Sequence, residues 1–149
     1  MSYDIYSSLA EQVVVEDLAP STLFSMSGRT ALVTGAAGGL GTWVSASLPA
    51  AGATVAMSDL DAKSLDDARR RLGPRGAETT RHEADLSSES ATRRVIDDCI
   101  SVRGRIDALT NCGATNRRQA FIDVDVDSFD RVLALDLRMR SSYHSTQRV

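Results

Sequence analysis

Thr30-Ala31-Leu32-Val33-Thr34-Gly35-Ala36-Ala37-Gly38-Gly39-Leu40-Gly41 is the stretch on which the fold turns. A short apolar, β-branched run ends in a glycine-rich turn, and helical character follows from residue 39 to residue 51: strand, turn, helix. Gly35, Gly39 and Gly41 remove Cβ atoms that would hold a ligand away from the backbone. The N–H groups that open the helix, aided by its dipole, suit a pyrophosphate. Taken alone, the segment also reads as an ordinary strand-to-helix turn.

The same alternation continues outward. Thr54–Ser58 reads as a second strand closing on Asp59, and Asp61 caps a helix that runs to Leu72 and ends at Gly73-Pro74. Glu78–Ala84 reads as a third strand before Asp85, Ser88 opens a helix to Val102, and Gly104 stops it. Ile106–Thr110 is the fourth expected strand, and a long helix from Val126 carries Phe129, Val132, Leu133 and Leu137 on one face. Upstream, residues 1–27 show no amphipathic period beyond a Leu9–Leu18 patch and are punctuated at Pro20-Ser21-Thr22; they read as a leader before a domain of residues 28–149. Strand and helix in turn imply right-handed βαβ units, hence an α/β fold of the Rossmann type: a parallel sheet, helices on both faces, strand order 3-2-1-4.

Composition limits what such a domain does. The 149 residues carry a net charge of −3, with 42% hydrophobic side chains. Basic residues, of which Lys63 is the only lysine, are scattered among the acidic ones, so no stripe points to nucleic acid or an anionic membrane. No apolar run approaches a membrane span, and Asp4, Glu11, Glu16 and Asp17 stand where an export signal would be positive and then apolar. Cys99 and Cys112 read as small core side chains of a reduced, cytoplasmic protein rather than as a disulfide or a metal pair.

A nucleotide on such a sheet sits at the carboxyl ends of the strands, where Gly35–Gly41, Asp59, Asp85 and Asn111–Ala114 all fall. Asp59, 18 residues after Gly41, is placed to accept hydrogen bonds from ribose hydroxyls. Its charge opposes a 2′-phosphate, and Thr42 stands where a basic residue would attract one, so NAD is expected over NADP. A solvated acid beside the Asp61 cap is the alternative for Asp59. For Asp85 the alternatives are an adenine contact and a plain loop acid before Ser88.

These residues carry a resemblance. Thr34-Gly35-x-x-x-Gly39-x-Gly41, Asp59, Asp85 and Asn111-Cys112-Gly113-Ala114 resemble, in order and spacing, the first half of a classical short-chain dehydrogenase/reductase over residues 28–149. They stand in for that family's TGxxxGxG loop, its NAD-type acid, its adenine contact and its NNAG strand end, the last kept only at Asn111. The lead-in Phe24-Ser25-Met26-Ser27-Gly28-Arg29 is similar to that of sugar and polyol members such as gluconate 5-dehydrogenase and sorbose reductase. The resemblance implies hydride transfer between nicotinamide and a carbonyl or alcohol carbon. It also implies a cofactor-binding set of Thr34, Gly35, Ala37, Gly38, Gly39, Leu40, Gly41, Asp59, Leu60, Asp85, Leu86, Asn111, Cys112 and Gly113.

The family's chemistry further needs a serine, a tyrosine and a lysine four residues after it. Tyr3, Tyr6 and Tyr143 are followed at that spacing by Ser7, Ala10 and Gln147, so the general acid cannot be placed. The family's helix asparagine falls at Asp136, where an ionised carboxylate accepts but does not donate. Pro49 in the last turns of the first helix and Trp43 after the glycine loop look like further departures. With four strands in hand, the expectation is a truncated, NAD-binding oxidoreductase half, inactive alone. It would take a small-molecule substrate only when complete, and would self-associate through the edge of the fourth strand and the last helix. A dinucleotide-binding sensor or interaction module without catalysis, and a structural domain without a ligand, are the competing readings.

Overall fold

The computed structural model describes residues 19–115 and 120–138. Strands β1 (Thr30–Thr34), β2 (Thr54–Asp59), β3 (Thr80–Glu83) and β4 (Ala108–Asn111) form one sheet in the order β3-β2-β1-β4. All three pairings are parallel, with Thr30 facing Thr54, Ala31 facing Ala108 and Ala56 facing Thr80. Both the α/β class and the strand order therefore agree with the sequence reading. Short helix α1 (Pro20–Leu23) precedes β1. Helices α2 (Gly39–Ala50), α3 (Ala62–Arg71), α4 (Glu89–Arg103) and α5 (Val126–Leu133) follow β1, β2, β3 and β4 in turn.

Side chains of one strand alternate between the two faces of a sheet, and here that alternation builds two cores. Leu32 and Ala56 pack with Ala91, Val95, Ile96 and Cys99 of α4, and Leu109 and Leu135 complete this layer. Val33, Val55 and Met57 point the other way, onto Leu65 and Ala68 of α3 and Val44 and Leu48 of α2. The central strand is buried at every residue, which is why it reads as an unbroken apolar run. The caps hold the helices in place: Asp61 accepts from the Ser64 N–H, Ser88 from the Ala91 N–H, and Gly104 closes α4 at φ 76°.

Several boundaries differ from the sequence reading. The third strand is Thr80–Glu83 rather than Glu78–Ala84, because Gly73–Glu78, led by Pro74, winds into a 3-10 helix that delays it. The fourth begins at Ala108 rather than Ile106; Asp107 instead folds its carboxylate back onto β1, accepting from the Thr30 N–H at 2.8 Å and pairing with Arg29 and Arg105. The last helix is α-helical only to Leu133 and widens into a π turn at Ala134–Arg138. On its expected apolar face Phe129 and Leu137 are exposed, at 55% and 61%, while Val132 and Leu133 are half-buried. Cys99 is buried as expected, but Cys112 is only half-buried and faces the cleft described below.

Pro49 does lie inside α2, and the helix ends tightly around it, with the Ala51 N–H directed at the Ser47 and Leu48 carbonyls. Trp43 is 78% exposed, so its bulk meets no obstacle in the glycine loop. Residues before 19, with Tyr3, Tyr6 and the Leu9–Leu18 patch, and Tyr143 lie outside the described residues. Within the described part of the lead-in, the Met26 N–H donates to the Ala51 carbonyl at 2.7 Å. Among the described residues no helix is long and apolar enough to cross a membrane.

Candidate cofactor cleft

The turn after β1 is shaped by two close approaches. Gly35 has φ +61°, and a Cβ there would lie 2.4 Å from the Gly113 nitrogen. A Cβ on Gly41 would lie 2.0 Å from the Gly35 carbonyl oxygen. These two glycines are thus required by the fold of the loop itself. Gly39 is different: a Cβ there would meet nothing within 4 Å, so it borders open space at the start of α2. Gly38 caps that helix in extended backbone with no side-chain hydrogen bond, and no acid stands in the first turn. The leading N–H groups of α2 are therefore left for an external acceptor, as an anion site requires.

Around the loop, hydrogen bonds fix the strand ends. The Thr42 hydroxyl donates to the Ala36 carbonyl at 3.2 Å, so the residue read as a missing basic group ties the loop to its own helix. Asp59 accepts from the Ala37 N–H through Oδ2 at 2.9 Å and from its own neighbour's N–H, that of Leu60, through Oδ1 at 2.7 Å. The carboxylate expected to face a ribose thus also fastens the glycine loop to the end of β2. Thr34, fully buried, accepts the Gly113 N–H at 3.4 Å on its hydroxyl, which in turn lies 3.5 Å from Oδ1 of Asn111. These contacts lock the end of β4 to the start of the loop.

Asp85 receives both the Ser87 N–H, at 3.0 Å, and the Ser87 hydroxyl, at 2.7 Å, on Oδ1. The hydroxyl, then the N–H, hold its carboxyl below the usual carboxylate range, and the charge of Arg131 adds to the effect. At neutral pH it is an oriented acceptor. Its serine partner accounts for the loop-acid reading, and its place on the cleft wall keeps the adenine-contact reading open.

A cleft of about 390 Å³ opens at the carboxyl ends of the strands. Of the expected set, Gly35, Ala37, Gly38, Asp59, Leu60, Asp85, Leu86, Cys112 and Gly113 line it. Thr34, Asn111 and Gly41 stand behind the wall, bracing it through the contacts above, and Gly39 and Leu40 lie at the helix opening. Ala114, which closes the Asn111–Ala114 strand end expected there, also lines the cleft, whereas sequence reading missed Ser64, Ala84, Ser87, Thr115, Arg131 and Leu135. Arg131 and Leu135, four residues apart on the last helix, follow a helical spacing visible in sequence, but nothing in sequence says that this face reaches the glycine loop.

Asp136 lies in the π turn, with Oδ1 buried and without a hydrogen-bond partner among the described residues. It does not line the cleft. Lys63 is exposed on α3.

Comparison with known proteins places this geometry. Residues 29–149 match the family model for short chain dehydrogenases. A short chain dehydrogenase/reductase of Colletotrichum higginsianum, dpchG, is 36% identical over 113 residues, which cover 75% of this chain and 42% of that protein. The Pseudomonas aeruginosa RhlG/NADP complex superposes with a TM-score of 0.73 at 34% identity, covering 80% of this chain and 46% of that one. The 3-ketoacyl-(acyl-carrier-protein) reductase of Brucella melitensis, complexed with NADH, gives a TM-score of 0.74 at 25% identity, covering 83% of this chain and 50% of that one. The chain thus spans half or less of the length of each of these proteins.

Proposed function

The chain belongs to the short chain dehydrogenase family, and from that premise we propose that residues 28–149 form the cofactor half of an NAD-dependent oxidoreductase, behind a leader of residues 1–27. The observation that carries the reading is the convergence of the glycine loop, Asp59, Asp85 and Cys112-Gly113 on one cleft. The residues present fit a dinucleotide. The uncapped start of α2 and the open side of Gly39 suit its pyrophosphate, Asp59 its ribose hydroxyls, and Asp85 with Leu86 its adenine. When bound, a nicotinamide dinucleotide supplies or takes up the hydride exchanged with a carbonyl or alcohol carbon. The protein's part in this half is to bind, orient and discriminate.

Preference for NAD rests on the Asp59 charge and the neutral Thr42. Relatives are found with NADH and with NADP, so the preference is argued from these local residues and not from family membership. The 149 residues supply no tyrosine with a lysine four positions later, and the chain by itself is therefore read as inactive. A sugar or polyol is the substrate class that the Phe24–Arg29 lead-in supports, and the 3-ketoacyl chemistry of the Brucella relative is the competing class. Two free cysteines fit a cytoplasmic setting.

A thermal melt tests the reading. A ligand that binds only the folded state stabilises it by about 2.7 kcal/mol at a hundredfold excess over its Kd. NADH should raise the midpoint saturably, and an unchanged midpoint at saturating NADH would overturn the cofactor assignment. A non-catalytic dinucleotide sensor is the second reading, favoured by a carboxylate at Asp136, where the family's asparagine falls, with Oδ1 buried and without a hydrogen-bond partner among the described residues. Finding a tyrosine–lysine pair on a second chain that restores turnover would exclude it.

A further inference from the structure

Arg29, Arg70, Arg81, Arg93 and Arg105 each reach a carboxylate, and Arg69 and Arg103 reach backbone carbonyls. The Arg131 side chain has no hydrogen-bond or ion-pair partner among the described residues and instead lines the cofactor cleft. It stands where the cleft meets a second hollow of about 350 Å³, whose walls it shares with Asp85, Ser87 and Asp130. Leu135, one turn further along, is anchored in the α4 layer, so Arg131 approaches from that side of the sheet. Leu60, 57% exposed at the end of β2, approaches from the α3 side. Between them, Asp85 offers Oδ2, since Ser87 occupies only Oδ1.

An apolar wall, a planar cation and a carboxylate acceptor at the edge describe a slot for a flat aromatic group that carries an amino donor. A guanidinium stacks on a π face where an ammonium does not match its plane. On the cofactor reading above, we propose that Arg131 is a cofactor-binding residue of the cleft, lying over one face of the adenine base with Leu60 against the other. Its guanidinium also stands beside Asp85 and moderates the charge of the acceptor that meets the base's amino group.

The test is calorimetric titration of the 149-residue chain, Arg131→Ala and Arg131→Lys with NADH, NADPH, 5′-AMP and reduced nicotinamide mononucleotide, with circular dichroism confirming that each variant is folded. Arg131→Ala should weaken NADH and 5′-AMP by the same factor, about tenfold, and leave reduced nicotinamide mononucleotide unchanged. Arg131→Lys should recover only part of the loss, because it restores charge without the plane. Undiminished 5′-AMP affinity in Arg131→Ala would overturn the stacking role while leaving the cofactor reading intact. A larger loss for NADPH than for NADH would overturn it too, by making Arg131 a phosphate contact. Absence of NADH binding in the parent chain would overturn the cofactor reading itself, and the stacking role with it.

Discussion

Gly39 and Gly41 carry the same letter two positions apart and do different work. Gly41 lets the Gly35 carbonyl approach, and a methyl group there would overlap it at 2.0 Å; Gly41→Ala should therefore lower the melting temperature sharply whether or not cofactor is present. Gly39 borders open space. Gly39→Val should fold, with a loss of about 1 kcal/mol or less, yet exclude a pyrophosphate; melts and NADH titrations of the two variants separate the roles. Asp59 is likewise double. Its bond to the Ala37 N–H means that Asp59→Ala should loosen the loop for both cofactors as well as reduce the preference for NADH over NADPH. A changed ratio with undiminished NADH affinity would show that the tether contributes nothing to binding. That a carboxylate belonged at position 59 was legible in the sequence from its spacing to the loop. Its grip on the loop was not, because backbone N–H directions are set only when β1 and β2 are in register.

At the scale of elements, the strongly apolar β1 and β2 and the capped helices were read nearly to their ends, because burial on both faces and a cap at Asp61 or Ser88 leave plain marks. β3 was not, since Thr80–Glu83 is mostly polar and its limits come from pairing with β2 and from the 3-10 helix before it. The start of β4 was missed for a related reason: Asp107 serves as a clasp rather than as a rung. The Thr30 N–H, then Arg105 and Arg29, hold its carboxyl below the usual carboxylate range, against the opposing effect of desolvation. A lowered folded pKa means that the clasp stabilises at pH above the unfolded value of about 3.9, and that this contribution is lost as pH falls through the folded value. Asp107→Asn should accordingly lower the melting temperature near about pH 7 and lose that effect toward about pH 2. A pH-independent difference would contradict the clasp. Pro49 was recognised as an awkward residue, but α2 closes one residue beyond it, so Pro49→Ala should raise stability by well under the roughly 3 kcal/mol of a mid-helix proline.

For the molecule as a whole, the order of elements prescribed the sheet, and the sheet brought distant segments to one cleft. What stayed hidden was the contribution of the last helix: Arg131 and Leu135 reach the cleft across nearly a hundred residues of chain, and no local pattern encodes that meeting. The same helix exposes Val126, Phe129 and Leu137, and β4 pairs only with β1 among the described residues. We expect these surfaces to associate between copies. Sedimentation should show a concentration-dependent mass, and a chain that stays monomeric throughout, with a sharp concentration-independent melt, would contradict this. The most direct measurement is calorimetric titration of the 149-residue chain with NADH, with NADPH and Gly39→Val as comparisons. The account predicts saturable NADH binding, tighter than that of NADPH and lost in folded Gly39→Val; a folded parent chain that binds neither dinucleotide would contradict it.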